Sequence, residues 1–356
     1  MWTETNFSSE LKFAGLLSNP YAEEAFYPEE TLKVDPVKIL DLLIANKILL
    51  TCYENISRFP SRYDQFKSLS ILIKKTLDDK RRLMIDIDQK IMDLNELLSE
   101  NQGIQYLLPK YTYFHREHND IDVLVNPMDF KLTLELLNSH NYVPTSVQGP
   151  WKVTMAKWIN GRRSAIHVHA KLHWHFEFIP TEELWKRSIL IDFHDSIKLR
   201  VLCGEDAILV IIAHALFENR RILLSDLFQL TGVLRKFPDI NWNQIFDRSH
   251  IHGWSSDLLF FLEFTNYLSF FLNSKILIPR DFFTYARENI SPFDQNLRKL
   301  VTILTNKNFC NIPYVYSNLQ SGITISKMTL RKPRFFSVSG FFDERIDNIA
   351  KWIKRK

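Results

Sequence analysis

The chain has 356 residues, enough for two domains or for one large domain with helical additions. Its net charge of +4 is too small to point to nucleic acid by itself, and its nine scattered glycines form no Gly-rich phosphate loop. Three well-separated cysteines, Cys52, Cys203 and Cys310, exclude a disulfide framework or a cysteine zinc site and fit a reducing compartment. The opening MWTETNFSSELKFAG has no basic stretch followed by an apolar core, so no secretory signal is read there and a cytoplasmic setting is expected.

Residues 1–34 read as irregular. Asp35-Pro36 gives a helix start, an N-cap acid followed by proline at the first helical position, and the helix is expected to run to about Ile56. A second helical stretch spans about 65–100, with Leu83, Met84, Ile87, Ile91 and Leu94 at helical spacing. It contains Asp86-Ile87-Asp88, but on a helix i and i+2 diverge, so these acids are assigned to a solvated face. From 104 to 125 the pattern turns extended: IQYLLPKYTYF, a turn-like HREHN, then DIDVLV, read as two neighbouring strands.

A helix from Asn126-Pro127 to about Ser139 follows, then a strand at Asn141-Tyr142-Val143 and further strands at 150–159 and 164–178. Residues 191–202 are one more strand or a linker. After Gly204 helices are expected at 205–218, 222–236, 241–250 and 255–273. The apolar segment Leu258–Ile278 is interrupted by Glu263, Asn266, Asn273 and Lys275, so it reads as a buried helix and not a membrane span. From Lys327 to Lys356 nine Lys/Arg face three acids. A solvated helix ending in KWIKRK accounts for that excess, although a basic tail can also track phosphates.

The most informative stretch is DIDVLV. In a strand, Asp120 and Asp122 project side by side, with Ile121 and Val123 buried behind them. Two carboxylates so close repel unless a cation lies between them, and carboxylate oxygens suit Mg²⁺ together with substrate phosphates. The bland alternative is a solvent-facing strand edge bearing two acids. A second constellation is IHVHAKLHWH. A regular strand would put His167, His169, His173 and His175 on one face, but its ends would lie about 26 Å apart, so only adjacent pairs can chelate. His173 and His175 are assigned to the surface or to hydrogen bonding. A third is His214 with Asp226 on consecutive helices joined at Glu218-Asn219-Arg220-Arg221, read as a buried structural pair amid Leu and Ile. No GxSxG elbow and no HExxH are present.

DIDVLV, IHVHAKLHW before Glu183-Leu184-Trp185, LCGEDAILVIIAHALFENRRILLSDLFQL and DINWNQIF together resemble the nucleotidyltransferase superfamily, in particular the uncharacterised nucleotidyltransferases of the NTP_transf_5 type, from about Tyr106 to His250. The resemblance implies an α+β fold, a small mixed sheet flanked by N-terminal and C-terminal helical regions. The expected divisions are a helical region at 1–102, the α/β core at 103–203, a helical domain at 204–290 and an extension with the basic tail at 291–356. It also implies metal-dependent transfer of a nucleoside monophosphate from a nucleoside triphosphate to an acceptor whose identity stays open, as does the oligomeric state. Asp120 and Asp122 would hold Mg²⁺ or Mn²⁺, and Lys110 or Arg116 would contact phosphate. Two departures stand out. Leu108-Pro109-Lys110-Tyr111 replaces the usual glycine turn, and the third acid maps onto His167, leaving it as ligand or base, with Glu177 as a possible substitute acid. The rival expectations are a catalytically degenerate binding scaffold and a transition-metal site on the His-x-His strand.

Overall fold

The computed structural model describes residues 9–21, 35–58, 67–81, 87–100, 103–111, 120–159, 161–174, 176–193, 197–219, 222–273 and 276–290. Arg116, Asp86, His175 and the basic tail lie outside the described residues.

The N-terminal helices are α1 (Ser9–Leu17), α2 (Pro36–Ala45), α3 (Leu49–Arg58), α4 (Lys67–Arg81) and α5 (Ile87–Asn95), the last extended by a π-helical turn over Glu96–Glu100. Helix α2 starts as its sequence dictates: the Asp35 carboxylate accepts from the Val37 backbone N–H at 2.9 Å, and Pro36 occupies the first turn. The continuous helix expected from Asp35 to Ile56 is broken at Lys47, whose φ of 56° is left-handed backbone that a helix cannot carry. The break turns α3 back, so that Ile39 and Leu43 of α2 and Leu49 and Cys52 of α3 share one core. Within the expected stretch at 65–100 lie α4 and α5, and Leu83 and Met84 fall outside the described residues. Asp88 on α5 is exposed, as its helical setting requires.

Strand β1 (Tyr106–Leu107) pairs antiparallel with β2 (Asp120–Val125). Next come α6 (Phe130–Ser139), β3 (Val143–Val147), β4 (Lys152–Ile159), β5 (Arg162–His169) and α7 (Thr181–Arg187). Helix α6 begins four residues after Asn126, because the Asn126 side chain and carbonyl first close a turn with Met128 and Asp129. The five strands form one mixed sheet in the order β1-β2-β5-β4-β3, with β2 and β5 parallel and the other pairs antiparallel. β3 is the outer strand. All five of its residues are exposed, and its register shifts between Pro144 and Ser146.

Residues 189–201 are neither one strand nor a linker. They form a hairpin, β6 (Ile189–Phe193) against β7 (Ile197–Val201), whose alternating side chains Ile191, Phe193, Leu199 and Val201 pack on the core under the five-stranded sheet. The Leu108 N–H donates to the Arg200 carbonyl at 3.0 Å, which ties the hairpin to the end of β1.

Helices α8 (Gly204–Ala213), α9 (Leu224–Lys236), α10 (Trp242–Ile251) and α11 (Ser255–Asn273) follow, close to the bounds their periodicity predicts, and then α12 (Arg280–Glu288), for which no helix is expected. A π-helical turn, His214–Glu218, extends α8. Helix α11 is a core helix: Leu258, Leu259, Phe261 and Leu262 are buried beside Trp254 and Phe217. Among the described residues no helix is long and apolar enough to cross a membrane. The molecule is thus α+β, with a small mixed sheet between helices.

Candidate active site

The site is built on the two parallel central strands. Register places Asp122 opposite His167 and Leu124 opposite His169, so the even-numbered acids of β2 and the odd-numbered histidines of β5 project from one face. Ile121, Val123, Ile166 and Val168 fill the other face, where α5, α6 and the hairpin cover them. Burying those β-branched side chains fixes the strand's rotation, because a slip of one residue would send the acids into the apolar core.

Asp120 stands at the rim, its side chain 42% exposed, whereas Asp122 is 8% exposed. His169 is fully buried, and its Nε2–H donates to Asp122 Oδ1 at 2.9 Å. His167 lies between the two acids, its Nε2 3.5 Å from Asp120 Oδ2 and its Nδ1 3.5 Å from Asp122 Oδ1. Asp122, His167 and His169 each offer a ligand atom, all within 4.8 Å of one another.

A polar cover closes over this face. Lys110, just past β1, places Nζ 3.1 Å from Asp122 Oδ2 and 3.1 Å from Glu218 Oε2. The same ammonium sits 5.0 Å from the centroid of the Trp174 ring, a cation–π contact. Lys152 at the start of β4, almost wholly buried, donates to Glu218 Oε1 at 3.0 Å. Glu218 reaches both lysines because the wider π-helical turn ends α8 over the sheet. His214, four residues earlier, places Nε2 3.1 Å from Glu218 Oε2. Asn219 Nδ2 donates to His214 Nδ1 at 3.2 Å, so His214 is the neutral tautomer with its proton on Nε2.

Charges within this cluster hold one another. Burial alone would raise the Asp122 pKa, but Lys110 and the two histidines outweigh it and keep the carboxylate well below its usual range. Burial would lower Lys110, yet Asp122 and Glu218 together raise it. Glu218 follows Asp122: burial opposes its ionisation, and Lys110, His214 and Lys152 overcome that, so its pKa is lowered. His214 goes the other way. Burial, assisted by Lys110, depresses it to about 4 despite the Glu218 bond.

The depressed His214 gives a pH signature. Below the ordinary value of 6.5 the unfolded chain gains a proton at this residue that the folded chain refuses. Stability is therefore expected to fall as pH drops from 6.5 towards about 4, where folded His214 also protonates and its loss levels off. The low pKa of Glu218 acts in the same direction below its usual 4.5. Urea midpoints measured from pH 7 to pH 4 would show the fall, and a shallower one in His214→Asn. Parallel profiles for the two proteins would refute the assignment.

Of the residues singled out from sequence, Asp120, Asp122, His167 and Lys110 converge here. Glu177 does not: it accepts from the Thr181 backbone N–H at 3.1 Å, at the start of α7. Strand β5 ends at His169, so the four-histidine face does not form, and half-buried His173 lies beyond the strand. The Asp226 carboxylate accepts from its own helix start, the Leu223 N–H at 2.8 Å, while His214 turns to Glu218. Sequence reasoning missed Glu218 and Lys152. The i, i+4 spacing of His214 and Glu218 was the available signal for the first, whereas nothing local marks Lys152.

The donor set suits a divalent cation: one deeply set carboxylate, a second at the rim and two imidazoles. No curated protein matches the chain. Residues 33–269 match the family NTP_transf_5, described as "Uncharacterised nucleotidyltransferase". That match spans more than half of the chain and includes both central strands and the α8–α9 pair that supplies Glu218, so the chain belongs to this nucleotidyltransferase family.

Proposed function

We propose that the chain transfers a nucleoside monophosphate from a nucleoside triphosphate to an acceptor, using Asp120, Asp122 and His167 at the reacting end. The observation that supports this most is the paired acids on β2 beside His167 on the parallel strand, with lysines converging on the same face. An acceptor oxygen attacks the α-phosphorus, the bond to the bridging oxygen breaks, and pyrophosphate leaves with the electron pair. His167 lies at the rim within reach of Asp120 and takes the acceptor's proton or ligates the cation. A divalent cation, Mg²⁺ or Mn²⁺, held by Asp120 and Asp122, would neutralise charge developing on the transferring group. Lys110 or Arg116, the latter outside the described residues, would supply positive charge to the phosphates.

One observation favours a second reading, a scaffold that keeps the fold without turnover. The Lys110 ammonium is already shared between Asp122 and Glu218, so contact with phosphate requires it to give up one carboxylate. The two readings separate in a calorimetric titration of nucleoside triphosphates with Mg²⁺, with Mn²⁺ and with EDTA, on the native chain and on Asp122→Ala. The transferase reading expects binding that needs metal and is lost in the variant. Absence of metal-dependent binding to the native chain would sink it and leave the scaffold.

A further inference from the structure

We infer that Asp122 Oδ1, His167 and His169 form a single-ion site for a divalent cation of the imidazole-binding class, Zn²⁺, in preference to Mg²⁺ or Mn²⁺. The inference shares Asp122 with the proposed function and departs from it in the cation and its ligands: Asp122 Oδ1 takes the ion with the two histidines, in place of Mg²⁺ or Mn²⁺ between Asp120 and Asp122.

Three observations carry it. The first is the donor set. The three ligand atoms lie within 4.8 Å of one another, and two of the three donors are imidazoles. Mg²⁺ is a hard ion that prefers an octahedron of oxygens and usually binds one or two carboxylates with water and phosphate. Neutral imidazole adds no charge and is a donor for Zn²⁺ and its transition-metal neighbours. Three protein ligands with an open fourth position are the usual arrangement of a reactive zinc centre.

The second is the state of the histidines. The Nδ1 atom of His167 is buried without a hydrogen-bond partner, yet it lies 3.5 Å from Asp122 Oδ1, aimed into the cluster. At 3.5 Å that contact is too long for a good hydrogen bond, and among the described residues the nitrogen has no other partner, although buried polar atoms are almost always satisfied. An ion beside Asp122 Oδ1 would satisfy it. His169, fully buried, points Nε2 at the same oxygen from the other side, and ligation would move its proton to Nδ1, which has no hydrogen-bond partner among the described residues.

The third is Lys110. Its ammonium is 3.1 Å from both Asp122 Oδ2 and Glu218 Oε2. That is the place a second cation bridging those carboxylates would take. With Lys110 there as resident counter-charge, Oδ2 is spoken for and only Oδ1, the oxygen facing the histidines, is open to an ion. The protein therefore offers one site and not two, with a nitrogen-rich donor set.

The test uses the full chain and metal salts alone. Calorimetric titration with ZnCl₂, MnCl₂ and MgCl₂ should show one Zn²⁺ equivalent per chain, bound at least 100-fold more tightly than Mg²⁺. Substitution by Co²⁺ should give the visible absorption of a nitrogen-ligated, low-coordinate ion. His167→Asn, at a partly exposed position expected to fold, should weaken Zn²⁺ at least tenfold and shift the Co²⁺ band, and His169→Gln should do the same. Mg²⁺ or Mn²⁺ binding as tight as Zn²⁺ would overturn the inference. So would Zn²⁺ binding that neither histidine variant changes, since the metal would then sit on other histidines or cysteines. Failure here is distinct from failure of the transferase reading: Mg²⁺-dependent nucleotide binding lost in Asp122→Ala would keep that reading while this one fell. A confirmed zinc site with no nucleotide binding would do the reverse.

Discussion

Glu218→Gln is expected to destabilise the fold by about 3 kcal/mol, the low end for breaking a buried ion pair, because the Glu218 side chain keeps 28% exposure. The substitution preserves shape and the ability to accept from His214. It removes the negative charge that Lys110 and Lys152 share. Lys110 retains Asp122, but Lys152, with a side chain only 5% exposed, would be left as a buried ammonium whose counter-ion is gone. Buried charge without a partner is among the costliest defects in a protein. The urea midpoint should fall with an unchanged slope. Adding Lys152→Met should restore part of the loss, because it replaces the stranded charge with an apolar chain of similar length. A single-variant midpoint within about 0.5 kcal/mol of native, the range of ordinary surface substitutions, would show that Glu218 does not hold this cluster together.

Asp122→Asn should lower pyrophosphate release about 10²–10³-fold under conditions where the native chain turns over, the usual effect of removing one element of transition-state charge stabilisation. Asparagine keeps the volume of the side chain, and its carbonyl can still accept from His169 Nε2–H. Lys110 keeps Glu218, so the fold should survive. What disappears is the deepest negative charge on the face, the one that Lys110 and two histidines hold ionised. The rim position makes Asp120 a milder case, since water reaches its side chain. Equal activity in native and Asp122→Asn, assayed with a panel of acceptors, would remove Asp122 from the chemistry.

Much of this architecture can be read along the chain, and the parts that cannot have a common cause. The β-branched run around Asp120 and Asp122 determines the strand and its buried face, and the helices after Gly204 show their apolar periodicity directly. The break at Lys47 is hidden because lysine carries no signal for left-handed backbone, and the apolar pattern continues on either side of it. The early end of β5 is also hidden, since Leu172, Trp174 and Phe176 keep the alternation of a strand while packing as an irregular segment against α8 and α11. Asp120 and Asp122 are legible in DIDVLV, His167 in IHVHAKLHWH and Lys110 in the stretch that replaces the glycine turn. Lys152 and Glu218 are separated by 66 residues and meet only through the π-helical turn and the sheet register. Such a meeting is a property of tertiary packing, and local pattern does not encode it.

The outer strand β3 has a consequence of its own. An unprotected sheet margin is a template on which a neighbouring chain can extend the sheet. Here the margin carries Pro144, which has no N–H to offer, and its pairing slips between Pro144 and Ser146. A second molecule approaching side-on meets an interrupted row of donors and acceptors. Side-by-side polymerisation is thereby discouraged at the rim two strands away from β5.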